Sequence, residues 1–246
     1  IQSVCAKDRE RLHIAVASNF KHSLQVLVPA FKTKMHLESL NVIISSGSSG
    51  VLFAQIKTGA PYDVFLSADA QRPDLLIEDG LADKSTRKVY ARGQIVLWAP
   101  AYQQGVEIGI LKNSLVKFTL ANPKLAPYGQ AAKQLMLKAG LWKEHDGSRI
   151  VAQNIAGAFQ YLASGIVKRG WVAFSQLQHW RKTHEVSLGS YWLPPLKDYP
   201  PIEQVAVKLS ASARNEMADL FLRFLSLPEA HDLIKNDGYL VSELKE

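Results

Sequence analysis

Short apolar runs alternate with amphipathic stretches along the whole chain. The runs predict buried strands at 12–17, 42–44, 63–67, 94–99, 149–152, 171–174 and 204–209. Between them, apolar residues at helical spacing predict helices. The first helix carries Phe20, Leu24, Leu27, Val28 and Phe31 on one face, and we expect Pro29 to kink or break it. This alternation predicts an α/β protein with mostly parallel sheets.

The strands at 94–99 and 204–209 bracket a middle block of about a hundred residues. A chain that crosses into a second domain and returns needs two such segments. We therefore predict a discontinuous lobe 1 (10–94 plus 204–246), an inserted lobe 2 (95–203) and an N-terminal extension (1–9). The chain has 246 residues, of which 47% are apolar and 21% charged, so it is long enough to bury the cores of two lobes.

The charge and the cysteine content narrow the function. The net charge is +7 and the pI is near 9.4, which favours an anionic partner. The basic residues are dispersed and no stacking motif accompanies them, so we expect no nucleic acid partner.

The lone Cys5 excludes an internal disulfide and a Cys-rich zinc site, and it leaves lipid anchoring open. No segment is apolar enough to span a bilayer, and a signal peptide is either absent or already removed.

The common catalytic motifs are absent or incomplete in this sequence. The sequence contains no phosphate-binding GxxxxGK[ST] loop and no HExxH metal motif. Gly47-Ser48-Ser49-Gly50 resembles a nucleophile elbow, but Val51 stands where the last glycine is needed. We therefore expect a protein that is not an enzyme and has neither a metal nor another cofactor of its own.

Hydroxyl or amide groups stand at four places where a helix is predicted to begin. They are Ser18-Asn19, Ser48-Ser49, Tyr128-Gly129 and Asn154-Ile155. Ligands of open α/β folds bind beyond the carboxyl ends of the strands, where helix N-termini present unpaired N–H groups and partial positive charge. Such ends can bind an anion without any Lys or Arg.

Two 18-residue windows, 39–56 and 150–167, contain no charged residue, and each includes one of these helix starts. A site of neutral donors suits an anion that has no proton to donate, because a hydrogen-phosphate would need a carboxylate to accept its proton. The windows therefore favour a fully ionised tetrahedral oxyanion.

Five segments carry a family resemblance: AVASNF (15–20), SSGSSG (45–50), GAPYDVFLSAD (59–69), NPKLAPYGQAA (122–132) and RGWVAF (169–174). They resemble the molybdate-binding proteins of ABC importers, over about residues 12–239. The resemblance implies a periplasmic-binding-protein type II fold, with two α/β lobes that close around the ligand in a cleft. It also implies a periplasmic monomer that captures molybdate or tungstate and delivers it to a membrane ABC permease.

The resemblance places the ligand site residue by residue. It implies Ser18 and Asn19 in the first loop, Ser48 and Ser49 in the second, Tyr128 in the third, and the backbone N–H of Ile155 in the fourth.

Many members of the family have PAG where this chain has PYG at 127–129, and they carry a ligand tyrosine on the strand at 171–174. Ala173 cannot supply that hydroxyl, so the resemblance favours Tyr128. The alternative is that Tyr128 only shapes its turn while a donor near Ala173 and Phe174, such as Ser175, completes the site.

Three other functions are alternatives, and the sequence argues against the second and the third. The same fold can bind sulfate, thiosulfate or another oxyanion. An enzyme on a two-lobe scaffold would need an acid–base pair, which the candidate loops lack. A ligand-sensing domain attached to a DNA-binding module would need a helix-turn-helix segment, for which two lobes leave no room. Molybdate and tungstate cannot be distinguished, since they share charge, shape and nearly the same size.

Overall fold

The computed structural model describes residues 11–184, 188–212 and 215–241, so Cys5 and the predicted extension 1–9 lie outside the described residues. The strands are β1 (Arg11–Ala17), β2 (Asn41–Gly47), β3 (Val64–Ser67), β4 (Lys88–Gly93), β5 (Ile95–Ala99), β6 (Phe118–Ala121), β7 (Arg149–Ala152), β8 (Gly170–Ala173), β9 (Ser190–Trp192) and β10 (Ile202–Lys208).

The α-helices are α1 (Lys21–Lys34), α2 (Ser49–Lys57), α3 (Gln71–Glu78), α4 (Pro127–Lys138), α5 (Ile155–Ala163), α6 (Phe174–Thr183), α7 (Asn215–Phe224) and α8 (Pro228–Asn236). Short 3-10 helices lie at Lys84–Thr86, Ile108–Lys112, Lys143–His145 and Leu196–Asp198. Within the part of the chain that the structure describes, no helix combines the length and the apolar character needed to cross a membrane.

The chain divides into two compact units. Unit 1 comprises residues 1–92 and 203–246, and unit 2 comprises residues 93–202. The first boundary, between residues 92 and 93, lies two residues before the predicted boundary at 94/95. The second, between residues 202 and 203, lies one residue before the predicted boundary at 203/204.

Unit 1 contains a five-stranded sheet in the order β2-β1-β3-β10-β4. Strands β2, β1 and β3 are parallel, and β10 returns antiparallel to β3. Side chains alternate between the two faces of the sheet. Ile14 and Val16 accordingly pack in the core cluster with the Phe31 and Phe221 side chains of α1 and α7, while Ala15 packs with α2 and α3 on the opposite face.

Asp63 joins these strands immediately before β3. Its carboxylate is fully buried and accepts from the backbone N of His13 at 2.7 Å and from Oγ of Ser212 at 2.8 Å. Its own backbone N donates to the carbonyl of His13 at 2.8 Å. Asp63 therefore helps to hold β1 beside β3, and with them the loops that follow these strands.

Unit 2 contains a second five-stranded sheet, in the order β7-β6-β8-β5-β9. Strands β7, β6 and β8 are parallel, while β5 is antiparallel to β8 and β9. The Trp98 side chain of β5 stacks on Phe159 of α5 with ring centroids 5.3 Å apart. In both units, an α-helix follows each of the three parallel strands.

The predicted α/β alternation is confirmed, and the structure differs from the predictions locally. Helix α1 is not broken at Pro29 and continues to Lys34. The strand predicted at 42–44 is longer, because β2 runs from Asn41 to Gly47, and Ser49 already begins α2. The predicted strand at 171–174 ends at Ala173, and Phe174 begins α6, which the sequence pattern missed. The patterns also missed β4, β6 and β9.

Candidate functional site

In unit 1, the candidate donors follow β1 and β2, two of the three parallel strands. The backbone N of Ser18, just after β1, donates to the carbonyl of Gly47 at the end of β2, at 2.9 Å. Oγ of Ser49, the first residue of α2, accepts from the backbone N of Ala68, just after β3, at 3.0 Å. These two bonds bring the three strand ends together and place the first and second loops side by side.

Ser48 and Ser49 use their hydroxyls as acceptors. Ser48 is the N-cap of α2, and its Oγ accepts from the backbone N of Val51 at 3.4 Å. Ser49 is fully buried and its Oγ accepts from Ala68. A hydroxyl also carries one proton, and neither serine donates that proton to an acceptor within the described ranges 11–184, 188–212 and 215–241. Both hydroxyls therefore suit a ligand that only accepts hydrogen bonds.

Asn19 points its side chain into unit 1. Its Nδ2 donates to Oε1 of Gln204 at 2.8 Å and to Oη of Tyr239 at 3.0 Å. Ser18, the preceding residue, is 6% exposed and Asn19 is 3% exposed, so the first loop is packed firmly against the protein interior.

In unit 2, helices α4, α5 and α6 begin after β6, β7 and β8, the parallel trio of that sheet. Tyr128 is the second residue of α4, directly after Pro127 at the helix start, and it is 1% exposed. Pro is favoured at this position because its ring fixes a helical φ and its missing N–H needs no partner.

Gly129 lets α4 begin this close to the sheet. A Cβ added at Gly129 would lie 2.2 Å from the carbonyl oxygen of Ala121, the last residue of β6. The turn between them is closed by the backbone N of Ala126, which donates to the carbonyl of Asn122 at 2.9 Å. The position of Tyr128 thus depends on the absence of a side chain at residue 129.

Ile155 is the first residue of α5 and is 2% exposed. The N-cap Asn154 accepts from the backbone N of Gly157 at 3.0 Å, as predicted for this residue. The carbonyl of Ile155 accepts from Nε2 of Gln176 at 3.3 Å, and Oε1 of Gln176 accepts from the backbone N of Ala173 at 3.0 Å. Gln176 therefore fixes the start of α5 relative to the end of β8.

The electrostatics of both sets of residues are those of neutral dipoles. The six predicted ligand residues carry no formal charge, and three of them lie in the first turn of a helix, where N–H groups and the helix dipole favour an anion. Among the described residues, no cluster of three or more His, Cys, Asp or Glu side chains has the arrangement of a metal site. Neutral donors at helix starts can bind an anion, and none of the six predicted ligand residues has a carboxylate, imidazole or amine side chain.

Each unit contains part of the predicted set. Unit 1 contains Ser18, Asn19, Ser48 and Ser49, and unit 2 contains Tyr128 and Ile155. Sequence reasoning missed Gln176, Gln204 and Tyr239. Gln204 and Tyr239 form hydrogen bonds with Asn19, and Gln176 bonds to the backbone of Ala173 and Ile155. The available signal for Gln204 was a polar residue in the otherwise apolar strand 204–209, and for Tyr239 it was an aromatic residue directly after the helix-ending Gly238.

Residues 12–240 match the family described as bacterial extracellular solute-binding protein. The chain is 36% identical over 238 residues to the molybdate-binding protein ModA of Azotobacter vinelandii, covering 96% of this chain and 92% of that protein. It is also 36% identical over 227 residues to ModA of Rhodobacter capsulatus, covering 92% of this chain and 86% of the relative.

A solved structure, the periplasmic molybdate-binding protein of Azotobacter vinelandii, is similar with a TM-score of 0.86 and 33% identity over 94% of this chain and 100% of that chain. The predicted periplasmic-binding-protein fold is thereby confirmed. These relatives are named as binding proteins, and none of the three names describes an enzyme.

Proposed function

Because the chain belongs to the bacterial extracellular solute-binding protein family, we propose that it captures molybdate or tungstate outside the cytoplasm and delivers the anion to the permease of an ABC importer. The observation that carries this proposal is the set of neutral hydroxyl and N–H donors at the strand ends, in a chain that is 36% identical over 96% of its length to a molybdate-binding protein. The oxyanion is the transported ligand and is released unchanged, so the protein needs no cofactor.

We propose that donors of both units bind one anion. Unit 1 contributes the loop of Ser18 and Asn19 and the hydroxyls of Ser48 and Ser49, and unit 2 contributes the hydroxyl of Tyr128 and the backbone N–H of Ile155. The hydroxyls of Ser48 and Ser49 support this assignment, because each already accepts a backbone N–H and retains a proton to donate. An oxyanion without protons matches such donors, whereas a ligand with its own O–H groups would leave donors facing donors.

The remaining expectations follow from the same assignment. A binding protein that presents its ligand to a permease has no need of a partner copy or of nucleic acid, and we expect a monomer. The location expected is the periplasm or, if Cys5 is modified, the outer face of a membrane.

The test is isothermal titration calorimetry, in which anion-stripped protein is titrated separately with molybdate, tungstate, sulfate and thiosulfate. Molybdate and tungstate are expected to bind with similar affinity. Sulfate has the same charge but shorter bonds, so it would leave fixed donors unsatisfied, and we expect it to bind at least about tenfold more weakly. Sulfate affinity within tenfold of that of molybdate would contradict this expectation and support the other-oxyanion alternative.

A further inference from the structure

The side chain of Asn19 is held by two residues from distant parts of unit 1. Its Nδ2 donates to Oε1 of Gln204 at 2.8 Å and to Oη of Tyr239 at 3.0 Å. Tyr239 in turn donates its hydroxyl proton to the carbonyl oxygen of Asn19 at 2.9 Å. A side-chain amide nitrogen has two N–H bonds, so both are committed to acceptors inside the protein.

These hydrogen bonds lie in the interior. Asn19 and Tyr239 are each 3% exposed, and Gln204 is fully buried. Water cannot readily replace a lost partner in such a place, and an unmade hydrogen bond there costs more than one at the surface. The three side chains therefore hold one another in a single arrangement.

Tyr239 is itself fixed by the backbone on both sides. Gly238 follows α8 and adopts a positive φ of 86°, which turns the chain at the helix end. Leu240 pairs with Arg92 of strand β4 through two backbone N–H···O bonds, 2.7 Å from Arg92 to Leu240 and 2.9 Å from Leu240 to Arg92. The hydroxyl of Tyr239 thus reaches the first loop from a segment with little freedom to move.

A second tyrosine provides a natural comparison. The ring of Phe20, next to Asn19, contacts the ring of Tyr90 at 4.9 Å and that of Tyr239 at 5.2 Å between centroids. The hydroxyl of Tyr90 is buried and has no hydrogen-bond partner in the parts of the chain that the structure describes. Burial, with a smaller contribution from Tyr239, raises the pKa of Tyr90 well above its usual value, so its hydroxyl stays neutral. Both tyrosines pack on Phe20, but only Tyr239 bonds to the loop.

We propose that Tyr239, together with Gln204, is a positioning residue for the oxyanion site. It fixes Asn19, and through Asn19 the loop 17–20, so that Ser18, whose backbone N–H already donates to Gly47, presents its hydroxyl in one direction before the anion arrives. The side chain of Asn19 anchors the loop and does not donate to the anion. Donors that are already ordered lose less entropy on binding, so the loop contributes more to affinity when it is held. This inference rests on the proposed function and assigns new residues to the same site.

The first experiment needs no ligand. Amide hydrogen exchange of Ser18 and Phe20, whose backbone N atoms donate to Gly47 and Ala17, is compared in the full-length parent, Tyr239→Phe and Tyr90→Phe. We expect faster exchange at both amides in Tyr239→Phe and parent-like exchange in Tyr90→Phe. Gln204→Met, which removes the other acceptor, is expected to act in the same direction as Tyr239→Phe. Equal exchange in the two tyrosine variants would overturn the proposal.

The second experiment measures molybdate affinity by calorimetry. Tyr239→Phe is expected to weaken binding about tenfold and Tyr90→Phe by less than about twofold. Because Tyr239 acts through Asn19, the losses of Tyr239→Phe and Asn19→Ala should not multiply in the double mutant, whereas those of Tyr239→Phe and Ser49→Ala should. A role of Tyr239 in overall stability alone predicts multiplication in both pairs and would contradict the proposal. If the parent bound no molybdate while Tyr239→Phe still loosened loop 17–20, the positioning role would stand and the proposed ligand would be refuted.

Discussion

In unit 1 the helix that follows the outer strand of the parallel trio begins with Ser48 and Ser49, and in unit 2 the corresponding helix begins with Asn154 and Ile155. In each helix the N-cap side chain accepts from the backbone N three residues later, at 3.4 Å for Ser48 and 3.0 Å for Asn154. The next residue carries a buried hydroxyl in unit 1 and an apolar side chain in unit 2. The same topology therefore offers a side-chain donor in one unit and only a backbone N–H in the other.

This difference predicts where each unit is sensitive to substitution. A donor that belongs to a side chain is lost when the side chain is replaced, whereas a backbone donor survives any replacement that keeps the helix start in place. In unit 2, the geometry of the backbone, set by Gly129 and Asn154, should matter more than the side chain of Ile155 itself.

The largest effect is expected for Gly129→Ala. Its Cβ would lie 2.2 Å from the carbonyl oxygen of Ala121, a backbone atom that cannot move aside cheaply. Because the start of α4 must shift, we expect a loss of about 3 kcal/mol or more in the free energy of unfolding and weak molybdate binding. Gly109→Ala is the matched control in the same unit, since nothing lies within 4 Å of its added Cβ. Chemical denaturation measures the free energy of unfolding of both variants. Similar values for Gly129→Ala and Gly109→Ala would show that the close approach at Gly129 is unimportant.

Ser49→Ala should produce the next largest loss. It removes a proposed donor to a charged ligand, for which we expect about 1.5–3 kcal/mol, or roughly 10–150-fold in affinity. The backbone N of Ala68 also loses its acceptor, so the free energy of unfolding should fall by about 1–3 kcal/mol without loss of the fold. Ser46→Ala, at an exposed position of β2, is the control. Parent-like affinity of Ser49→Ala in calorimetry would remove the second loop from the site.

Tyr128→Phe tests the proposed side-chain donor of unit 2. It keeps the buried ring and removes one proposed donor, so affinity should fall by up to about 1.5–3 kcal/mol while the melting temperature without ligand changes little. The increase in melting temperature on adding molybdate should shrink accordingly. Ser175→Ala is measured in parallel. A parent-like Tyr128→Phe together with an impaired Ser175→Ala would favour the alternative in which residues near Ala173 complete the site.

The smallest effects should come from the two N-caps. Asn154→Ala removes the shorter cap bond and should cost about 1 kcal/mol of stability, with Ser48→Ala at the lower end of the usual 0.5–2 kcal/mol range. The order should reverse for molybdate affinity, because Ser48 is also a proposed donor. Thermal unfolding with and without molybdate separates the two quantities, and the same order in both would show that Ser48 acts only as a cap.

Local patterns predicted much of the fold and the helix starts at which the candidate residues lie. The strand Arg149–Ala152 and the cap Asn154 occur as predicted, because a short apolar run followed by a capping residue is a strong local signal. Helix α6 was missed because the apolar run 171–174 hides the point where β8 ends at Ala173. Strand β6 was missed because Thr119 interrupts its apolar run, and β9 was missed because it has only three residues.

The contacts behind the first loop could not be predicted in this way. Asn19 lies 185 residues from Gln204 and 220 residues from Tyr239 along the chain. No pattern near Asn19 indicates which distant residues face it, and these pairings depend on the packing of β10 and the segment after α8. The family resemblance placed Asn19 at the site, and the structure shows what its side chain bonds to.

The central claim is that donors of both units act on one oxyanion, and native mass spectrometry tests it most directly. The parent, Ser49→Ala and Tyr128→Phe are stripped of anion, incubated with molybdate at one limiting concentration and sprayed without denaturation. We expect one bound molybdate per parent chain and a clearly lower bound fraction in each variant, although one substitution lies in unit 1 and the other in unit 2. Two bound anions per parent chain, or full occupancy in either variant, would contradict it.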